Sequence, residues 1–354
     1  MTISPPAPTD VTRLWYTRCP VPTASSIAIS RGLLAAEFAP DGIEVSSLLE
    51  SADSAVRESH FDHTRADSFR QGGNIPPIWS RSKGRDLRLI GLSWAEQYQA
   101  ILALPESGIT GPEDLRGRRL ALPHRVNDQI DFTRATALRG YHTALALAGL
   151  AEDEVKFVDI AVPETFLGQA GSPTGSLFGA RNQRTLNRAE IIALLRGEVD
   201  AVYLSGSRGA DFEAFLGAVR VVDIAALPDR AQRVNNITPA TLTVSGGLLD
   251  QRPDLVARYV ASTLRAARWA EEHADETRRI IAAEVGSAEE WVDHGHPLDL
   301  HSRLTPSLDE DLIAAVESQK DFLLRNGFIT TDFDVREWID PEPLRRAQEL
   351  IEND

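Results

Sequence analysis

Gly111-Pro112-Glu113-Asp114-Leu115-Arg116-Gly117-Arg118-Arg119-Leu120 decides how this chain is read. A proline opening a helical turn loses nothing, because the first N–H groups of a helix have no internal partner. That turn feeds 119–122, which reads as a strand. Helix, glycine and strand recur at Leu195-Arg196-Gly197-Glu198-Val199-Asp200-Ala201.

Outward from these two pieces, strands and helices alternate. The hydrophobic patterning predicts strands at 11–16, 43–49, 87–92, 98–104, 155–160, 200–204, 219–224 and 240–245. Helices are expected at 23–38, 132–148, 253–273, 276–285 and 342–351, with another from Asn187 to Leu195. A capping box, Ser307 with Glu310 three residues on, predicts a helix over 307–325. Such alternation implies mainly parallel sheets flanked by helices, an α/β class. Hinge-like stretches at 105–112 and 235–239 suggest two lobes. Residues 1–108 with 240–354 would form the first and 109–239 the second, with a ligand cleft between them. The order resembles the type 2 periplasmic-binding-protein fold, carried by the two pieces above and by the helix starting near Arg252.

Length and composition agree. The 354 residues fit about two domains, and 42% hydrophobic with 25% charged residues is ordinary globular usage. No apolar run approaches the ~18–20 residues of a membrane span. The start, MTISPPAPTDV, lacks a basic and apolar leader, so a cytoplasmic location is expected. A net charge of −15 disfavours nucleic acid and anionic membrane as partners. Residues 61–88 oppose that trend, with six basic side chains (Arg65, Arg70, Arg81, Lys83, Arg85, Arg88) against three acidic ones (Asp62, Asp67, Asp86). They are either a solvated surface or a lining for an anion.

Cys19 is the single cysteine, so an internal disulfide is excluded and zinc spacing of the Cys-x-x-Cys kind is impossible. It lies where the first strand hands over to the first helix. A helix start there would favour negative charge and a reactive thiol. Arg70 offers a planar fork for a two-oxygen anion, and Gly72-Gly73 would let backbone N–H groups approach one. His60 and His63 lack further ligands at metal spacing, and His294, His296 and His301 read as plain loop.

Tyr16-Thr17-Arg18-Cys19-Pro20-Val21-Pro22 and His60-Phe61 followed by Arg70-Gln71-Gly72-Gly73-Asn74-Ile75-Pro76-Pro77 together resemble the 2′-hydroxybiphenyl-2-sulfinate desulfinases. These enzymes close bacterial dibenzothiophene desulfurisation. Ser245-Gly246-Gly247-Leu248-Leu249-Asp250-Gln251-Arg252-Pro253 and Phe322-Leu323-Leu324-Arg325-Asn326 extend the likeness along the chain. The resemblance implies a cytoplasmic, monomeric hydrolase of carbon–sulfur bonds, needing no metal or organic cofactor and acting on a small aromatic sulfinate. It makes Cys19 the catalytic thiol, His60 its partner, and Arg70 with Gly73 the sulfinate clamp. Gly72, Thr17, Phe61 and Phe178 would line the substrate site. His63 and Arg65 stand where the family carries Tyr and Gln, and 123–141 lacks the family's tryptophan, so an altered ring pocket is expected. A solute-binding protein for a sulfonate or similar anion is the main alternative. A thiamine-pyrimidine synthase on the same fold is a third reading, against which the missing cysteine-rich iron motif speaks.

Overall fold

The computed structural model describes residues 11–167 and 186–353. The first lobe centres on a five-stranded sheet in the order β2-β1-β3-β10-β4. Its strands are β1 (Arg13–Arg18), β2 (Glu44–Ser47), β3 (Ser68–Gly72), β4 (Leu87–Ser93) and β10 (Ala240–Ser245). β2 and β3 run parallel to β1, whereas β10 runs antiparallel to both β3 and β4. The second lobe holds β5 (Gln99–Ala103) between β8 (Val202–Ser205) and β9 (Val219–Asp223), antiparallel to each. A parallel pair, β6 (Arg119–Arg125) and β7 (Lys156–Val162), joins through a bridge from Leu120 to Ala201.

Parallel pairing is therefore confined to β2-β1-β3 in the first lobe and β6-β7 in the second, less than strand–helix alternation implied. The strands nearest the crossings, β5 and β10, are the antiparallel ones. The chain leaves the first sheet at Ser93 and enters the second at Gln99, ahead of the stretch 105–112. All five positions of β5 are buried, and its apolar run is taken up by pairing with β8 and β9.

Helices cover both sheets. The expected helix 23–38 is two, α1 (Ala24–Ser30) and α2 (Leu33–Phe38), because Gly32 sits at φ +71° and breaks the ladder. α3 (Ser54–Asp62) and α4 (Ile75–Ser82) flank β3, and α5 (Phe132–Ala148) packs on β6. α6 (Arg188–Leu195) and α7 (Gly206–Leu216) follow in the second lobe. The C-terminal third supplies α8 (Pro253–Glu272), α9 (Ala274–Val285), α10 (Glu289–Gly295), α11 (Glu310–Arg325) and α12 (Glu342–Glu352). α11 starts at Glu310 with Asp309 at its cap, because Ser307 is held in a bridge to Leu92 and donates its hydroxyl to Asp309. The largest apolar core lies behind the first sheet, where Leu14, Phe69, Leu242 and Tyr259 are fully buried. Among the described residues no helix is long and apolar enough to cross a membrane.

Candidate active site

Register builds the site. Side chains two apart on a strand share a face, so Thr17 and Cys19 project together from β1 and its end, as do Arg70 and Gly72 from β3. The parallel pairing sets Thr17 beside Arg70. One step on, Gly72 lies under Cys19, and its φ is +154°. A Cβ there would fall 2.4 Å from the Cys19 sulfur, so only glycine leaves room for the thiol. Gly73 clears the Asn236 side chain in the same way, at 2.6 Å. The two glycines thus make space for the Cys19 and Asn236 side chains.

Cys19 does not start a helix. α1 begins at Ala24, where Thr23 caps it by accepting from the Ser26 N–H. Charge reaches the sulfur from Arg70 instead. Its Nη2 donates to Cys19 Sγ at 3.0 Å, and its Nη1 donates to the Gly73 carbonyl at 2.7 Å. Arg70 is only 2% exposed, and its Nε is buried without a hydrogen-bond partner among the described residues. Burial lowers its pKa while Cys19 opposes the fall, and a guanidinium keeps its charge in either case. A buried cation with an unused donor is a receptor for an anion.

His60 comes from the last turn of α3. Its Nδ1 lies 2.7 Å from Thr17 Oγ1, and its Nε2 lies 3.9 Å from Cys19 Sγ. Burial, then the nearby charges of Arg70 and His63, hold its pKa well below the ordinary imidazole value. The ring is therefore neutral near pH 7, as an acid–base partner of a thiol needs to be.

A cavity of about 140 Å³ opens beside this cluster, walled by Cys19, His60, Phe61 and Arg70 on one side. Across it stand Phe132, Phe166 and Tyr203 from the second lobe. Phe166 stacks on His60 with ring centroids 5.8 Å apart and meets Phe132 edge-on at 5.1 Å. Asp128, paired with Arg125, accepts the Phe166 N–H and fixes this ring over His60. Phe132 opens α5 inside the segment 123–141, so that segment supplies aromatic surface without a tryptophan.

The other expected site residues fall elsewhere. Arg65 is exposed, with its guanidinium over the Trp15 ring at 5.0 Å. His63 caps α3 in a left-handed conformation and bonds through Nδ1 to the Phe61 carbonyl at 2.9 Å. Neither borders the cavity. Phe178 lies outside the described residues. Sequence reading missed Phe132 and Phe166, and it passed over His296, which is 6% exposed and borders the cavity. No group of three or more His, Cys, Asp or Glu side chains able to hold a metal occurs among the described residues.

Comparison with known proteins gives this arrangement a context. The family model described as NMT1/THI5 like matches residues 38–170. The 2′-hydroxybiphenyl-2-sulfinate desulfinase of Rhodococcus erythropolis is 32% identical over 355 aligned positions, covering 94% of this chain and 93% of the relative. This chain belongs to that desulfinase family. The Rhodococcus qingshengii desulfinase matches equally well. The crystal structure of the desulfurization enzyme DSZB superposes with a TM-score of 0.77 at 29% identity, covering 96% of this chain and 99% of that one. A cysteine-to-serine mutant of DSZB in complex with biphenyl-2-sulfinic acid gives 0.78 at the same identity and coverage. The periplasmic aliphatic sulphonate binding protein SsuA from Escherichia coli, 16% identical with a TM-score of 0.64 over 93% and 92% of the two chains, shares the fold. The two-lobed binding-protein architecture and the desulfinase resemblance read from the sequence are both borne out.

Proposed function

We propose that this protein removes the sulfinate group of an arylsulfinate as sulfite, with Cys19 as the proton donor. The observation that carries the reading is the buried contact of Arg70 with Cys19 Sγ at 3.0 Å, with His60 Nε2 on the same sulfur. An arylsulfinate held by Arg70, with the unused Nε and the Gly73 backbone as further donors, brings its sulfur-bearing carbon to the thiol. The thiol proton passes to that carbon and a C–H bond forms at the expense of ring π electrons. The C–S bond then breaks, its electron pair restores the aromatic ring, and sulfur dioxide leaves. Water converts sulfur dioxide to hydrogen sulfite and a proton, and that proton returns to the sulfur through His60. Thr17 keeps the His60 ring in register.

We place the lobe boundaries at the crossings 94–98 and 235–239, with Cys19, His60 and Arg70 all on the first lobe. A cytoplasmic monomer acting without metal or organic cofactor is the reading supported by the resemblance in the Cys19 and Arg70 motifs. Incubating the purified protein with biphenyl-2-sulfinate should release sulfite and biphenyl in equal amounts, unaffected by EDTA. Tight sulfinate binding with no sulfite would return the chain to the solute-binding alternative.

A further inference from the structure

The loop after β6 is tied down more heavily than a surface turn needs. Arg125 ends β6, and its side chain and that of Asp128 are 6% and 3% exposed and pair at 2.5 Å through Nε. Arg125 Nη2 donates to the Glu164 carbonyl at 2.7 Å, and the Asn127 amide donates to the Pro163 carbonyl at 2.7 Å. The Phe166 N–H donates to Asp128 Oδ1 at 2.9 Å. Residues 163, 164 and 166, which follow β7, are thus all bonded to this one loop. Asp131 accepts the Arg125 N–H and caps α5, the helix that Phe132 opens. The same loop reaches the helix that carries His60, where Gln129 donates to Glu58 at 2.7 Å.

A buried ion pair is an inefficient source of stability, since exchanging both charges for apolar side chains is often neutral. What this pair supplies is position. The Asp128 carboxylate accepts from two donors, the Arg125 guanidinium and the Phe166 N–H. Fixing that N–H fixes the direction of the Phe166 Cα–Cβ bond, and the ring lands on His60 at 5.8 Å and on Phe61 at 5.9 Å. His60 is 1% exposed. Cys19, Arg70 and His63 surround it from the first lobe, and the second lobe meets it with the Phe166 ring. An imidazole face closed by an aromatic ring is kept from water, and loss of water disfavours its charged form.

We propose that Asp128 is a positioning residue, which through the Phe166 N–H holds that ring on His60 and keeps water from the acid–base partner of Cys19. Arg125 keeps the carboxylate in place. Both act through Phe166 and stand apart from the reacting atoms. Part of the acid–base machinery is thereby supplied by the second lobe, although Cys19, His60 and Arg70 all lie on the first. The effect of Asp128 on rate rests on the desulfinase reading, whereas its effect on the His60 ring does not.

Two double variants without the ion pair separate position from charge. Arg125→Met with Asp128→Asn keeps an acceptor for the Phe166 N–H, and Arg125→Met with Asp128→Leu keeps none. The His60 pKa is followed by NMR of the histidine ring nitrogens, assigned with His60→Gln. In parallel, kcat and KM for sulfite release from biphenyl-2-sulfinate are measured across pH. The leucine variant should raise the His60 pKa toward the ordinary value of about 6.5 and move the acid limb of kcat to higher pH with it. Its kcat at neutral pH should fall roughly 10–100-fold, the scale of loss when a group that orients a reacting partner is removed, and KM should change less. The asparagine variant should recover most of both. Phe166→Ala, which leaves the tether and removes only the ring, should raise the His60 pKa as the leucine variant does, and it carries the test if that variant does not fold. Equal His60 pKa values in the asparagine and leucine variants, or a wild-type value in Phe166→Ala, would overturn the assignment. Absence of sulfite with wild type would instead sink the desulfinase reading, while the His60 titrations still decide the role of Asp128.

Discussion

The wall that carries the Cys19 thiol and the wall that faces it are built on different principles. Cys19, Arg70 and Gly72 stand on neighbouring strands of one sheet, and His60 is added from the helix just before β3. Their spacing follows from strand register and a single helix end, so short motifs specify them. The facing wall is gathered from the start of α5, the segment after β7, β8, α7 and the residue after α10. Phe132, Phe166 and Tyr203 come from separated parts of the second lobe and His296 from the C-terminal third, so only tertiary packing brings them to one cavity. The thiol wall is thus written in short sequence motifs, and the facing wall in tertiary assembly.

Substitutions on the two walls should separate these roles. The largest effect belongs to Cys19→Ser, which should abolish sulfite release while leaving sulfinate Kd within a few-fold, since a serine hydroxyl is a far weaker acid than a thiol. His60→Gln should follow, with kcat down ~10²–10⁴-fold, the usual loss for a positioned acid–base group, and KM changed much less. Arg70→Ala should weaken sulfinate binding about 10–150-fold, the equivalent of removing a charged hydrogen-bond donor at ~1.5–3 kcal/mol. Unchanged affinity in Arg70→Ala would detach the anion from this wall altogether.

A fourth expectation concerns stability. Burial holds the pKa of His63 at about 3 and that of His296 at about 4, whereas an unfolded imidazole titrates near 6.5. The unfolded chain therefore binds more protons below that value, and stability falls as pH drops from about 6.5 toward 4. The urea midpoint should decline between pH 7 and pH 5, and His63→Gln should flatten the decline. The smallest effect is expected from Arg65→Gln, whose side chain lies on Trp15 outside the cavity. Its relative kcat/KM for hydroxylated and plain biphenyl-2-sulfinate should match wild type within two-fold, and a larger change would bring Arg65 back to the substrate.

Much of the first wall was legible without coordinates, and the reasons are specific. Cys19 and Arg70 sit in motifs whose residue types are chemically unusual for an acidic chain. β3 itself was hidden. Ser68-Phe69-Arg70-Gln71-Gly72 is buried at every position, so it shows no alternation of polar and apolar residues. Pro76 and Pro77 both lie in the first turn of α4, where their missing N–H groups cost nothing. His296 looked like loop because its burial comes from Glu96 and α7, far away in sequence. The positive stretch 61–88 mixes one buried cation, Arg70, with exposed ones such as Arg65, and charge counting cannot divide them.

Asn74 and Asn236 give the two walls a mechanical connection. The Asn74 N–H bonds to the Asn236 carbonyl at 2.6 Å, and the Asn74 amide reaches the carbonyls of Asn235 and Pro239. The Ile75 N–H takes the Asn236 side chain, and Gln97, in the other crossing, donates to Asn235. Both spans between the lobes are therefore buckled to the loop directly after Arg70. The position of the Arg70 loop is thus tied by hydrogen bonds to that of both crossings.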